Sequence, residues 1–273
     1  MILLVLAFAA SLVPSLGLFF WLRKLEGDVE FEDICNKAMV QGLISILPVL
    51  GCSLVFQIIE MVLAAYAGFS GLPRAAFHTM IVLALSEELV KCLWSRRFMS
   101  KYQRAWSWMD YIIVTTIVGI GFGLAEDIPY AIGSSPIVML IRGIGVAHGG
   151  YAFVMGYFMG KGEKTGNKLW TVLGFGLPWL MHGLYDFGLT DEFLSFAGEH
   201  GALLSVGLAA FELVVLAILI AFFVRRKDDQ RYREPMVALP EAAPATAEQD
   251  APAPLLPTDE GDDDSGHSGR HFA

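Results

Sequence analysis

Apolar runs of about 20 residues recur along this chain, separated by short charged joins, and nothing else constrains its fold as strongly. Candidate spans fall near 2–22, 38–66, 74–95, 109–131, 136–160, 168–189 and 202–224. With 55% hydrophobic and 17% charged residues over 273 positions, the chain is too apolar for a soluble domain of its length. Its apolar residues lie in runs rather than in the alternation of half-buried strands. The expected fold is an all-α polytopic membrane helix bundle of about seven transmembrane helices. The second span is long enough to tilt or break, with Pro48 as the natural kink. The first lacks a positive segment before it and carries Arg23 and Lys24 after it, so it reads as an anchor rather than a signal peptide.

The joins sort by charge. Lys37 joins Arg23 and Lys24 after the first span; Arg96, Arg97, Lys101 and Arg104 follow the third. Lys161, Lys164 and Lys168 follow the fifth, and Arg225, Arg226 and Lys227 the seventh. The intervening joins hold only Arg74 and the acidic Asp191, Glu192 and Glu199. The positive-inside rule therefore predicts the N-terminus outside and the C-terminus inside. Such a chain belongs in a cell membrane as a multi-pass protein, with the lipid bilayer as its surroundings.

Residues 1–227 form the expected transmembrane domain. Residues 228–273 carry eleven Asp/Glu against three Arg, contributing −8 of the formal charge of −9. This Pro- and Ala-rich stretch lacks apolar periodicity and reads as a disordered cytoplasmic tail. No basic patch or motif suits nucleic acid. Cys35, Cys52 and Cys92 are scattered and form neither a disulfide framework nor a CxxC zinc pair.

Ionisable residues inside four of the spans ask for a reason, because one charge at mid-membrane costs roughly 2.5–3.5 kcal/mol on insertion scales. LSEELVKCLW (85–94) carries Glu87, Glu88 and Lys91; GFGLAEDIPY carries Glu126 and Asp127. The fifth span holds Arg142 and His148, and the sixth His182 and Asp186. Glu87 and Glu88 stand at i,i+4 and i,i+3 from Lys91, and His182 at i,i+4 from Asp186, so each set shares a helix face. Counted from the outer ends at about 1.5 Å per residue, Glu87, Glu88 and His148 lie roughly 18–20 Å deep, and Arg142, Glu126 and His182 roughly 8–11 Å. That overlap predicts a single polar cavity. The glycines of GIGFG and HGGYAF allow the close helix approach such a cavity needs. Glu60, Glu212 and Gln57 read as helix–helix hydrogen-bond partners.

EELVK (87–91), GFGLAED (121–127), R-x5-H from Arg142 to His148 and H-x3-D from His182 to Asp186 occur in the order found in the PrsW family. The resemblance covers 85–189, the motif core, and is to bacterial intramembrane proteases similar to the CAAX prenyl endopeptidases. It implies an endopeptidase that cuts a single-pass membrane protein substrate, an anti-sigma factor in some bacteria, in a bacterial inner or plasma membrane. Prenyl endopeptidases carry His four residues after the Phe of the second motif; here Glu126 stands there, as in PrsW-like chains.

Under this reading Glu87 is the base on a water, with Glu88 its partner; the residues alone do not choose between the two. His148 or His182 polarises the scissile carbonyl, Asp186 orients His182, and Glu126 holds the water or protonates the leaving amine. Lys91 and Arg142 support the site. No cofactor is expected: without HExxH, glutamate-dependent chemistry is preferred to metal-dependent. Two histidines and a carboxylate nonetheless suit Zn²⁺. The alternatives are a seven-helix transporter or channel, or a non-catalytic membrane scaffold, using the same intramembrane charges.

Overall fold

The computed structural model describes residues 2–133 and 147–236, and every helix or strand element among them is helical. α1 (Ile2–Leu22) leads through a short turn to α2 (Val29–Ile44) and α3 (Ile46–Ala67). Next come α4 (Gly71–Phe77), a π-helical segment (His78–Leu85) and α5 (Ser86–Met99). Right-handed backbone at Phe77, His78, Leu85 and Ser86 makes these one continuous rod. α6 (Trp108–Gly133), α7 (Ala147–Thr165) and α8 (Lys168–Gly188) follow, then short α9 (Asp191–Ala197), long α10 (Gly201–Arg226) and the single turn α11 (Gln230–Arg233).

Val29–Ala67, Trp108–Ile132 and Val206–Arg226 are long and apolar enough to cross a membrane. The segments expected at 2–22, 74–95 and 168–189 also fold as helices. Charges, histidines and glycines dilute the apolar character of the last two. The fifth expected span is helical from Ala147, and its residues 136–146, including Arg142, lie outside the described residues.

The second span departs from its expected outline. Helix begins at Val29 and breaks at Ser45, three residues before Pro48. Pro48 has no N–H for the carbonyl of Ile44, and its ring crowds that carbonyl, so the ladder fails one turn earlier. Ser45 closes α2 by donating its N–H to Gln41 and its hydroxyl to Gly42 (2.6 Å).

α6 is the central helix. Within its most apolar window 72% is buried in the protein, against 17% and 19% for the other two spans. Its glycines set that position. A Cβ on Gly121 would strike the Met39 carbonyl, and one on Gly42 the Val118 carbonyl, so α2 and α6 touch backbone to backbone. A Cβ on Gly119 would strike the His148 carbonyl and Ala152, which brings α7 equally close. Phe31, Ile34, Met109, Ile113 and Ile117 fill the core, and Trp21 packs edge-on against Phe223 (5.9 Å) to tie α1 to α10.

Order also runs past the boundary expected at residue 228. The Tyr232 ring packs on Trp108 (4.5 Å), Arg233 pairs with Glu26, and the Met236 N–H donates to the Trp106 carbonyl (2.9 Å). Residues 237–273, the rest of the expected acidic tail, lie outside the described residues.

Candidate active site

Four helices meet at the cluster: α5, α7 and α8 carry its most buried ionisable side chains, and α6 contributes Glu126. Glu87, Glu88 and Lys91 occupy the first turns of α5, directly after the π-helical segment, which rotates them relative to a regular helix. His148 opens α7, where Gly123 leaves room for its ring: a Cβ there would lie 3.2 Å from His148 Cδ2. His182 sits on α8, held against the π-helical segment by two contacts. Trp179 Nε1 donates to the Met80 carbonyl (2.7 Å), and Gly183 packs on Met80 and Ala84.

Glu88 and Lys91 are completely buried, and Glu87, His148 and His182 nearly so. Lys91 Nζ donates to Glu88 Oε1 (2.6 Å) and lies 3.0 Å from His148 Nδ1. Because the ammonium has only protons to offer, Nδ1 must accept, and the ring proton sits on Nε2. Nε2 then donates to Glu126 Oε2 at 2.5 Å. Glu126 thereby fixes the tautomer of His148. Lys91 also lies over the Phe122 ring (4.6 Å), whose π face favours a cation.

His182 is held at both nitrogens. Nδ1 faces Glu88 Oε1 at 2.9 Å and Nε2 faces Asp186 Oδ2 at 3.2 Å. The Tyr151 ring stacks on the imidazole at 5.0 Å, only 18° from parallel.

Glu87 is positioned differently. Its Oε2 lies 4.0 Å from Lys91 Nζ and 3.9 Å from both His148 Nδ1 and His182 Nε2. Among the described residues that oxygen is buried without a hydrogen-bond partner, as is Oε2 of Glu88. Buried carboxylate oxygens in that state are costly and point to a missing water, ion or substrate.

The donor chemistry suits a divalent metal. Ligand atoms from Glu87, Glu88, His148 and His182 all lie within 4.8 Å of one another. Two imidazoles with carboxylate oxygens are a common zinc set. The partners behind the rings, Glu126 on His148 and Asp186 on His182, are of the kind that orient ligating histidines.

The structure thus gathers Glu87, Glu88, Lys91, Glu126, His148, His182 and Asp186 into one buried cluster. Arg142 falls outside the described residues, and the Glu212 side chain is likewise not among those described. Glu60 does act as a helix–helix partner, accepting from Arg74 and His78. Sequence reasoning missed Tyr151, three residues after His148, and gave Phe122 no role beyond its helix face. The i,i+3 spacing of His148 and Tyr151 placed both on one face of α7, but an aromatic there reads equally well as core.

Comparison with known proteins points to one family. The sequence model of the family described as "PrsW family intramembrane metalloprotease" matches residues 37–225. "Protease PrsW" of Clostridioides difficile (strain 630) is 26% identical over 196 residues, covering 68% of this chain and 80% of that protein. "Protease PrsW" of Shouchella clausii (strain KSM-K16) is 30% identical over 188 residues, covering 67% and 82%. The protein of the same name from Bacillus subtilis (strain 168) is 33% identical over 86 residues. No solved structure matches the chain significantly.

Proposed function

The chain belongs to the PrsW family of intramembrane proteases, and from that premise we propose that the buried cluster hydrolyses a peptide bond of a single-pass membrane protein, an anti-sigma factor being the substrate class suggested by resemblance. The carrying observation is Glu87 Oε2, buried between two histidines at 3.9 Å with no hydrogen-bond partner among the described residues. In this reading the bundle crosses a bacterial cell membrane seven times with its N-terminus outside.

His148, His182 and Glu88 would hold a divalent metal, in keeping with the family's description as metalloproteases. When bound, such an ion supplies Lewis acidity to the scissile carbonyl and to water. This departs from the metal-free preference drawn from the missing HExxH. The ligands come from three elements, so no local motif announces them.

Each side chain has a role in the reaction. Glu87 takes a proton from the attacking water as the water oxygen bonds to the carbonyl carbon, and the C–N bond breaks as that proton passes to the leaving amine. Glu126 keeps Nδ1 of His148 free of a proton and aimed at the centre. Asp186 accepts the Nε2 proton of His182 and so leaves Nδ1, on the side of Glu88, for the centre, with the Tyr151 ring holding the imidazole plane. Lys91 compensates the charge of Glu88. The apolar walls of α5, α6 and α7 restrict water, so electrostatic interactions within the site are strong.

The test is reconstitution in vesicles with a single-pass substrate, comparing wild type with Glu87→Ala, Glu88→Ala and His182→Ala. Cleavage by the wild type and its loss in the variants is expected. Cleavage by all three at the wild-type rate would overturn the assignment.

A further inference from the structure

A cavity of about 430 Å³ with ionisable residues in its lining lies where α3 meets α4 and α8 leads into α9. Its lining includes Gln57, Glu60, Arg74, His78, Thr190 and Glu192. The catalytic cluster does not use these residues, yet the cavity is built on the same elements. His78 begins the π-helical segment nine residues before Glu87, roughly 12 Å along the rod. Thr190 lies four residues beyond Asp186.

The charges in this cavity are not evenly spent. Glu60 is buried, and both its oxygens are taken: Arg74 Nε donates to Oε1 (2.7 Å) and His78 Nδ1 to Oε2 (2.7 Å). The charge of Glu60 is therefore met within the cavity by Arg74, with His78 as its second partner. Arg74 uses only Nε there, and its side chain is about half exposed (47%). Among the described residues its terminal nitrogens have no hydrogen-bond partner, and Gln57 lines the same cavity; a planar donor pair of this kind suits a carboxylate. Glu192 is exposed at the rim, where solvent screens it.

We infer that this cavity is a substrate subsite that takes an acidic side chain, Asp or Glu, from the polar segment flanking the substrate's transmembrane helix. The inference rests on the protease reading above. Arg74 lies four residues, roughly 6 Å, further along the rod than His78, so extended peptide at about 3.3 Å per residue places the acidic residue about five positions from the scissile bond. Glu60 and His78 brace Arg74 as a fixed anchor, so the subsite favours substrates with acid at that position without touching the reacting atoms.

The experiment uses the full chain in vesicles with three single-pass model substrates identical but for Asp, Asn or Lys at that position. For the wild type the expected KM is about tenfold lower with Asp than with Lys, at kcat within about twofold, a discrimination typical of one solvent-accessible charge contact. Arg74→Gln, which keeps a donor for Glu60, should erase the preference and leave kcat on the Asn substrate unchanged. Equal KM values for all three substrates with the wild type would overturn the subsite while leaving the protease assignment intact, and need no variant to fold. A preference that survives Arg74→Gln would also overturn it. Failure of the wild type to cleave any of the three would overturn the protease reading and the subsite with it.

Discussion

Lys91 Nζ lies 2.6 Å from Glu88 Oε1 and 4.0 Å from Glu87 Oε2, although both glutamates are within helical reach of it. The ammonium takes the i,i+3 partner, and His182 joins it on the same Glu88 oxygen. Glu87 is left facing the two histidines. The sequence ambiguity between the glutamates thus becomes an asymmetry, with one carboxylate tied down and the other open.

That asymmetry separates two variants. Glu87→Gln should lower cleavage by about 10²–10⁴-fold with little change in melting temperature, since its Oε2 makes no hydrogen bond. Glu88→Gln should lower both activity and melting temperature, because it leaves the Lys91 charge buried without its carboxylate. Equal melting temperatures for the two variants would contradict the division of roles.

Breaking the ion pair from the other side carries the same signature. Lys91→Met should destabilise the protein by about 3–5 kcal/mol, the usual cost of stranding one partner of a buried pair. Lys91→Met/Glu88→Met should recover part of that loss without restoring cleavage. A thermal-denaturation double-mutant cycle in detergent measures the coupling, and strict additivity would show that the 2.6 Å contact contributes nothing.

Metal dependence can be read without an activity assay. The purified chain should bind about one equivalent of Zn²⁺ by elemental analysis after loading, with His148→Ala and His182→Ala each sharply reduced. Exhaustive chelation should stop cleavage and re-addition should restore it. Full activity after chelation would return the mechanism to glutamate and histidine alone.

Packing of α2 on α6 depends on glycine. Gly121→Val places side-chain atoms against the Met39 carbonyl, where backbone cannot yield, and should cost about 1–3 kcal/mol. Gly51→Ala is the control: its Cβ would meet nothing within 4 Å, so its melting temperature should match the wild type.

The segment after α10 should release in acid. Hydrogen bonding from the Arg231 guanidinium, against an opposing burial effect, holds the Asp229 carboxyl below its usual range. Because the folded value is the lower one, this stabilisation is present above about pH 3.9 and fades as pH falls through the folded value. Asp229→Ala should therefore loosen residues 230–236 already at neutral pH, seen as faster proteolysis beside Tyr232. Unchanged cleavage there would show that the cap does not anchor the turn.

The sequence by itself determined the helical character of the chain, because runs of apolar residues this long leave the backbone no other way to satisfy its own hydrogen bonds. It also determined which residues were out of place: Glu87, Glu88, Lys91, Glu126, His148, His182 and Asp186 stand out against their spans for the cost of burying charge. It did not reveal the break at Ser45, since a proline marks a weak ladder but the exact failure point depends on which carbonyl finds a substitute donor. Nor did it choose between Glu87 and Glu88, about 100° apart on one helix. The tertiary structure gives the two carboxylates different partners, through a π-helical turn that sets the rotation of α5 and glycines on α6 that let His148 approach. The stacking of Tyr151 on His182 and the Arg74 cavity were likewise decided there. Distances between side chains on separate helices follow from how backbones pack, and no local pattern of residues encodes that.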